Sequence, residues 1–187
     1  MVHEKLAKEL IQLTNDDRLL REGLAKSHAL GKGYHPKMEA VHRANAKRLR
    51  EIIDKIGYPG ISKVGEEASE AAWLIVQHAV SEPVFMQNCY QLMNMDKEDI
   101  NLAHIAYLYD RIQYFKGEPQ RFGTQLTADG GIYPVENKED LNTLRLRMNL
   151  PRLTNRKLDT IYHVEELAIL NQRDPDYTIW RKKVGWT

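Results

Sequence analysis

The sequence has a single cysteine, Cys89, among 187 residues. A lone thiol excludes an internal disulfide and any zinc site built from cysteines, and such a composition suits a reducing compartment, with the cytoplasm as the simplest assignment. An excess of one charge is also missing, since 27 lysines and arginines stand against 26 aspartates and glutamates for a formal net charge of +1. Without a basic surplus there is little of the attraction that feeds non-specific nucleic-acid binding, so nucleic acid is not expected as a partner. The chain has no long hydrophobic run. It opens with the charged "MVHEKLAKELIQL" and nowhere approaches the ~20 apolar residues that cross a bilayer, which argues against secretion and membrane insertion. Two catalytic signatures are absent: there is no Gly-x-Ser-x-Gly elbow and no Gly-rich Lys-Ser/Thr phosphate loop. Serine-hydrolase and NTPase chemistry therefore have no support. The length suits one domain, residues 1–187, large enough to bury a real core.

Helical periodicity is what the sequence does have. In residues 3–26, Leu6, Leu10, Leu13, Leu20 and Leu24 form a stripe, and Asp17 occupies the one gap in it. In residues 36–56, opened by Pro36 as a first-turn residue, the stripe Met38, Val41, Ala46, Leu49, Ile52, Ile53 and Ile56 encloses His42 and Asn45. "GYPGISKVG" breaks the chain, and "EEASEAAWLIVQHAV" then resumes as a helix that places His78 on the side of Ala71 and Ile75. A short helix follows Pro83. The helix from about Glu98 to Phe115 is apolar nearly all round, which predicts a central position for it and burial of Asp110, on the face of Ala103 and Ala106.

The rhythm stops at "RFGTQLTADGGIYPV". Gly123, Gly130 and Gly131 permit positive backbone dihedrals there, and a short β-hairpin or loop insertion at residues 121–136 is expected. Two further helical segments follow, one with Asn137 as its cap and one over "TNRKLDTIYHVEELAILNQ", before an aromatic and basic tail. The fold class is accordingly all-α: a single bundle-like domain of about six or seven helices.

From Asp17 to about Leu153 the chain resembles a bacterial domain family of unknown function. The resemblance rests on Gln77 and His78 at a helix end, the pair Asp110 and Arg111, and the run Gly117, Pro119, Gln120, Phe122, Gly123, Thr124 and Gln125. Phe122 stands where that pattern has tyrosine, which removes a hydroxyl. The resemblance implies a shared architecture and a shared polar centre, and it supplies no reaction.

Each major helix thus carries a polar group within its apolar stripe: Asp17, His42 with Asn45, His78 and Asp110. Burying such a group unpartnered costs roughly 1–3 kcal/mol, and more if it is charged, so these groups are expected to supply one another's partners. Two outcomes compete, a satisfied network that fixes helix register and a ligand pocket. As a pocket, His78 with Asp110 makes an acid/base unit, and Arg111 suits a carboxylate or phosphate. Gln77 and Gln120, with Thr124 and Gln125 of the loop, join Asp17, His42 and Asn45 as candidate ligand-binding groups.

The corresponding function is a hydrolase or transferase acting on a small polar or phosphorylated molecule. The alternatives are a non-catalytic binding, immunity or regulatory module, whose pocket senses a ligand or whose tail around Trp180 and Trp186 docks a partner, and a purely structural bundle. No cofactor is specified and no metal-ligand set is assigned. Glu39-x-x-His42 lacks the second such pair that a di-iron bundle needs, and a mononuclear centre from His42, His78 and Asp110 is a minor reading. Cys89 is read as an inert core thiol.

Overall fold

The computed structural model describes residues 3–30, 34–172 and 174–187. Among the described residues it contains ten α-helices and no β-strand, and no helix is long and apolar enough to cross a membrane. The all-α expectation holds. By its contacts the chain divides into two compact units, Met1–Ile100 and Asn101–Thr187, where length alone suggests one domain.

The first unit comprises α1 (Glu4–Lys26), α2 (Pro36–Ile56), the single turn α3 (Ile61–Val64), α4 (Glu66–His78) and α5 (Pro83–Met95). Pro36 and Pro83 occupy first turns, where a missing N–H leaves nothing unbonded. α4 is central to this unit. Its buried side carries Ala68, Ala71 and Ala72, whose small side chains let α1 and α2 approach it closely. On α1 the fully buried line is Ala7, Leu10, Asp17 and Leu24, while Leu6, Leu13 and Leu20 are half-buried. Leu10, Leu49 and Ile52 are wholly inaccessible, and each such burial stabilises by about 1.5–3 kcal/mol.

Gly60 in the linker between α2 and α3 is required by a close approach. A Cβ there would stand 2.0 Å from Oδ2 of Asp99. That carboxylate in turn accepts from the backbone N–H of Ser62 at 2.7 Å and from its hydroxyl at 2.8 Å.

The second unit comprises α6 (Leu102–Lys116), α7 (Leu141–Arg147), α8 (Asn155–Leu158), α9 (Leu167–Gln172) and α10 (Pro175–Val184). Asn101 caps α6 by accepting from the Ala103 N–H, and Gly117 ends it in the left-handed region at φ 79°. Two apolar clusters flank the loop that follows. One joins Ala106, Phe122 and Leu150, and the other joins Ile132, Val135 and Leu141.

Several expectations change. Among the described residues the count is ten helices, not six or seven, because α3 and α10 carry too little periodicity to be read and because residues 154–172 split into α8 and α9. The split has a physical cause: Ile132 donates its N–H to the carbonyl of Thr160 and accepts from the N–H of Tyr162, so this backbone bonds across the chain and not along a helix.

Of the hairpin or loop insertion expected at 121–136, the loop is what the structure has and the hairpin is not formed. The segment is an ordered loop with isolated bridges of opposite sense, Gln120–Val135 parallel and Leu126–Ile132 antiparallel. Asn137 caps no helix; it accepts from the N–H groups of Glu139 and Asp140 in the turn before α7. The aromatic and basic tail is helical as α10, capped by Asp174, which accepts from the Tyr177 N–H.

Candidate functional site

The Asp17 gap in the leucine stripe of α1 is filled from two other helices. His42 of α2 donates from Nε2 to Oδ1 of Asp17 at 3.0 Å, and His78, at the end of α4, donates from Nδ1 to Oδ2 at 2.6 Å. The two imidazoles stand 4.8 Å apart, centroid to centroid, at 40°. Tyr34 closes the group: its ring stacks on His42, and its hydroxyl meets Nδ1 of His42 and donates to the backbone carbonyl of His78 at 3.4 Å. Asn45, one turn along from His42, donates to the carbonyl of Leu13 and ties α2 to α1 beside the cluster.

The side chains of Asp17 and His42 are 5% and 9% exposed, whereas that of His78 is 30% exposed. The cluster is therefore closed on one side and open at His78. Burial pushes the Asp17 carboxyl upward, but the hydrogen bonds and charges of His42 and His78 outweigh it and hold the carboxyl well below the usual carboxylate range. A carboxylate that accepts at Nδ1 leaves Nε2 of His78 for a second partner, the arrangement that lets an imidazole exchange protons with a bound molecule. The donor atoms of Asp17, His42 and His78 also all lie within 4.8 Å of one another.

Asp110 has other partners. It is wholly buried, and the loop after α6 folds around it. Oδ1 accepts from the N–H groups of Arg121 and Phe122 at 2.8 and 3.0 Å. Oδ2 accepts from the N–H groups of Phe122 and Thr124 at 3.2 and 2.9 Å, and from the Thr124 hydroxyl at 2.9 Å. Burial pushes this carboxyl up to about 6 against the pull of those donors.

Gln120, also wholly buried, is a second staple of the loop. Its Nε2 donates to the carbonyls of Gln125 and Tyr133, and its Oε1 accepts from the Gln125 N–H. The Gln125 side chain donates to the Thr124 hydroxyl. Inward-pointing amides of this kind take the place of a hairpin ladder.

A family model matches residues 4–165. The chain belongs to DUF6624, a family of unknown function. The matched segment contains both the Asp17 cluster and the Asp110 loop, and it ends before α9 and α10. No curated protein and no solved structure matches the chain.

The structure thus gathers Asp17, His42 and His78 in the first unit, and Asp110, Gln120, Thr124 and Gln125 in the second. The carboxylate that His78 meets is Asp17, and both oxygens of Asp110 accept from its own loop. Of the residues His42, His78 and Asp110 read as a mononuclear centre, His42 and His78 lie together with Asp17. Glu39 is paired with Arg43 on its own helix.

Gln77 is buried beside His78, and Arg111 lies over the ring of Phe115, 5.7 Å from its centroid. Trp186 is buried and stacked on Phe115 at 5.3 Å, and Trp180 packs edge-on to the same ring. A docking patch formed by both tryptophans thus loses one of its two members.

Two residues escaped the sequence reading. Tyr34 precedes α2 and shows no periodicity to mark it. Arg145, 6% exposed, donates to the carbonyls of Phe122 at 2.6 Å and Pro151 at 2.8 Å, and its only signal was a charged residue on a short helix.

Proposed function

We propose that this protein is a hydrolase or transferase acting on a small polar or phosphorylated molecule in a reducing compartment such as the cytoplasm, with its reacting centre at Asp17, His42 and His78. One observation carries the reading: a buried carboxylate holds two imidazoles, and only one of them, His78, reaches the surface. A cluster serving helix register alone has no need of an exposed member. Asp17 orients the His78 ring through Nδ1, which leaves Nε2 of this partly exposed ring as the atom to exchange a proton with a bound molecule. Proton transfer by a side chain so placed contributes typically about 10²–10⁴-fold in rate.

The test is a panel of phosphoester, ester and amide substrates, run on the wild type, His78→Ala and His78→Gln, with circular dichroism as the control for folding. Turnover of one class by the wild type and its fall by at least about 10²-fold in both folded variants is the expected result. Full activity in folded His78→Ala would remove this centre from the reaction.

A further inference from the structure

We infer that Asp17, His42 and His78 hold one divalent transition-metal ion, with its open coordination position on the side of His78. The inference deepens the reading of this cluster as the reacting centre, and it replaces side-chain proton transfer with metal activation of water. Two imidazole nitrogens and one carboxylate oxygen form the donor set of three-ligand catalytic sites, which keep a further position for water or substrate. Here the donors are Oδ1 or Oδ2 of Asp17, Nε2 of His42 and Nδ1 of His78, separated by 3.0 Å and 2.6 Å across the two carboxylate contacts. All of them fall within 4.8 Å of one another. Ligand atoms around a tetrahedral ion bonded at about 2.0–2.1 Å stand roughly 3.3 Å apart, so seating the ion requires shifts of about an ångström.

The surroundings fit as well. A metal-bound imidazole places its ring proton on the far nitrogen and needs an acceptor there. For His42 that nitrogen is Nδ1, which already meets the Tyr34 hydroxyl, and Tyr34 donates onward to the carbonyl of His78. Binding displaces the proton that Nε2 of His42 donates to Asp17, and with the ring proton held at Nδ1 against Tyr34 the Nε2 lone pair is left for the ion. The far nitrogen of His78, Nε2, belongs to a side chain that is 30% exposed, so water or substrate can accept from it. The three ligands come from three different helices, so the ion also crosslinks the first unit. A set of two nitrogens and one carboxylate suits zinc, iron(II) or cobalt(II) and gives magnesium or calcium too few oxygens.

The experiment is titration of chelator-treated full-length protein with Zn²⁺, Co²⁺ and Mg²⁺, read by calorimetry, by melting temperature and by the visible absorption of Co²⁺. The expected result is one Zn²⁺ or Co²⁺ per chain, a raised melting temperature, and no response to Mg²⁺. His78→Ala, at the half-exposed ligand, is expected to weaken binding at least about 100-fold, and Tyr34→Phe, which touches no metal, about 10-fold. Absence of 1:1 binding in the wild type, or unchanged binding in folded His78→Ala, would overturn the inference; the latter result would assign the ion to surface histidines such as His3 or His163. Because metal binding is read without a substrate, its failure leaves the loss of turnover in His78→Ala as a separate result, and a bound ion with no turnover would overturn the enzyme reading alone.

Discussion

Asp110→Asn isolates the chemistry of the loop at almost constant volume. The carboxylate accepts from Arg121 N, Phe122 N, Thr124 N and the Thr124 hydroxyl, and an asparagine must turn its NH₂ toward one half of that set. With NH₂ in the place of Oδ1, the Arg121 amide faces a donor. With NH₂ in the place of Oδ2, the Thr124 amide does, although the hydroxyl can rotate to accept. The fully buried Phe122 amide keeps a partner either way, since it reaches both oxygens, at 3.0 and 3.2 Å. One part-buried N–H is therefore orphaned, at about 1–3 kcal/mol, and the surviving bonds lose their ionic assistance.

We expect a destabilisation of about 2 kcal/mol, a large share of the ~5–15 kcal/mol that holds a typical domain. Urea unfolding measures that loss. Hydrogen exchange locates it, with faster exchange at the amides of residues 121, 122 and 124. Thr124→Val, which removes one hydroxyl and no amide partner, is expected to cost about 1 kcal/mol. Unchanged unfolding together with unchanged protection in Asp110→Asn would refute the view that this carboxylate organises the loop.

Three further expectations concern the first unit. The folded Asp17 carboxyl holds its proton less tightly than the unfolded one, whose ordinary value is 3.8. The stability it contributes is therefore present above that value and lost as pH falls below it; urea midpoints followed into acid are expected to drop more steeply for the wild type than for Asp17→Asn. Gly60→Ala drives a methyl into the Asp99 carboxylate, 2.0 Å away, and by breaking its bonds to Ser62 is expected to cost about 1–3 kcal/mol in thermal or urea unfolding. Cys89 is 1% exposed and burial pushes its thiol up to about 12, so a thiol reagent is expected to react at least about 100-fold faster in denaturant than in buffer.

Much of the molecule follows from periodicity. The stripes of α1, α2 and α4 mark which side of each helix is buried, and the interruptions at Asp17, His42, Asn45 and Asp110 are buried as their positions imply, because a residue three, four or seven places from core residues shares their face. The break after α6 was legible for a similar reason, as a run of glycine and amide residues that no helix accommodates.

What the pattern lacks is any statement of which face meets which. His78 takes Asp17 as its carboxylate, and Asp110 takes backbone amides of its own loop, because helix packing and chain reversal decide which donors arrive within 3 Å. Tyr34 and Arg145 owe their roles to the same cause: each lies far in sequence from a partner it touches, His78 for the one and Phe122 for the other. Local residue order thus determined the helices, their buried sides and the polar groups that must find partners. Only the tertiary structure decided the pairs, since a hydrogen bond depends on distance and direction between elements whose placement no single stripe encodes.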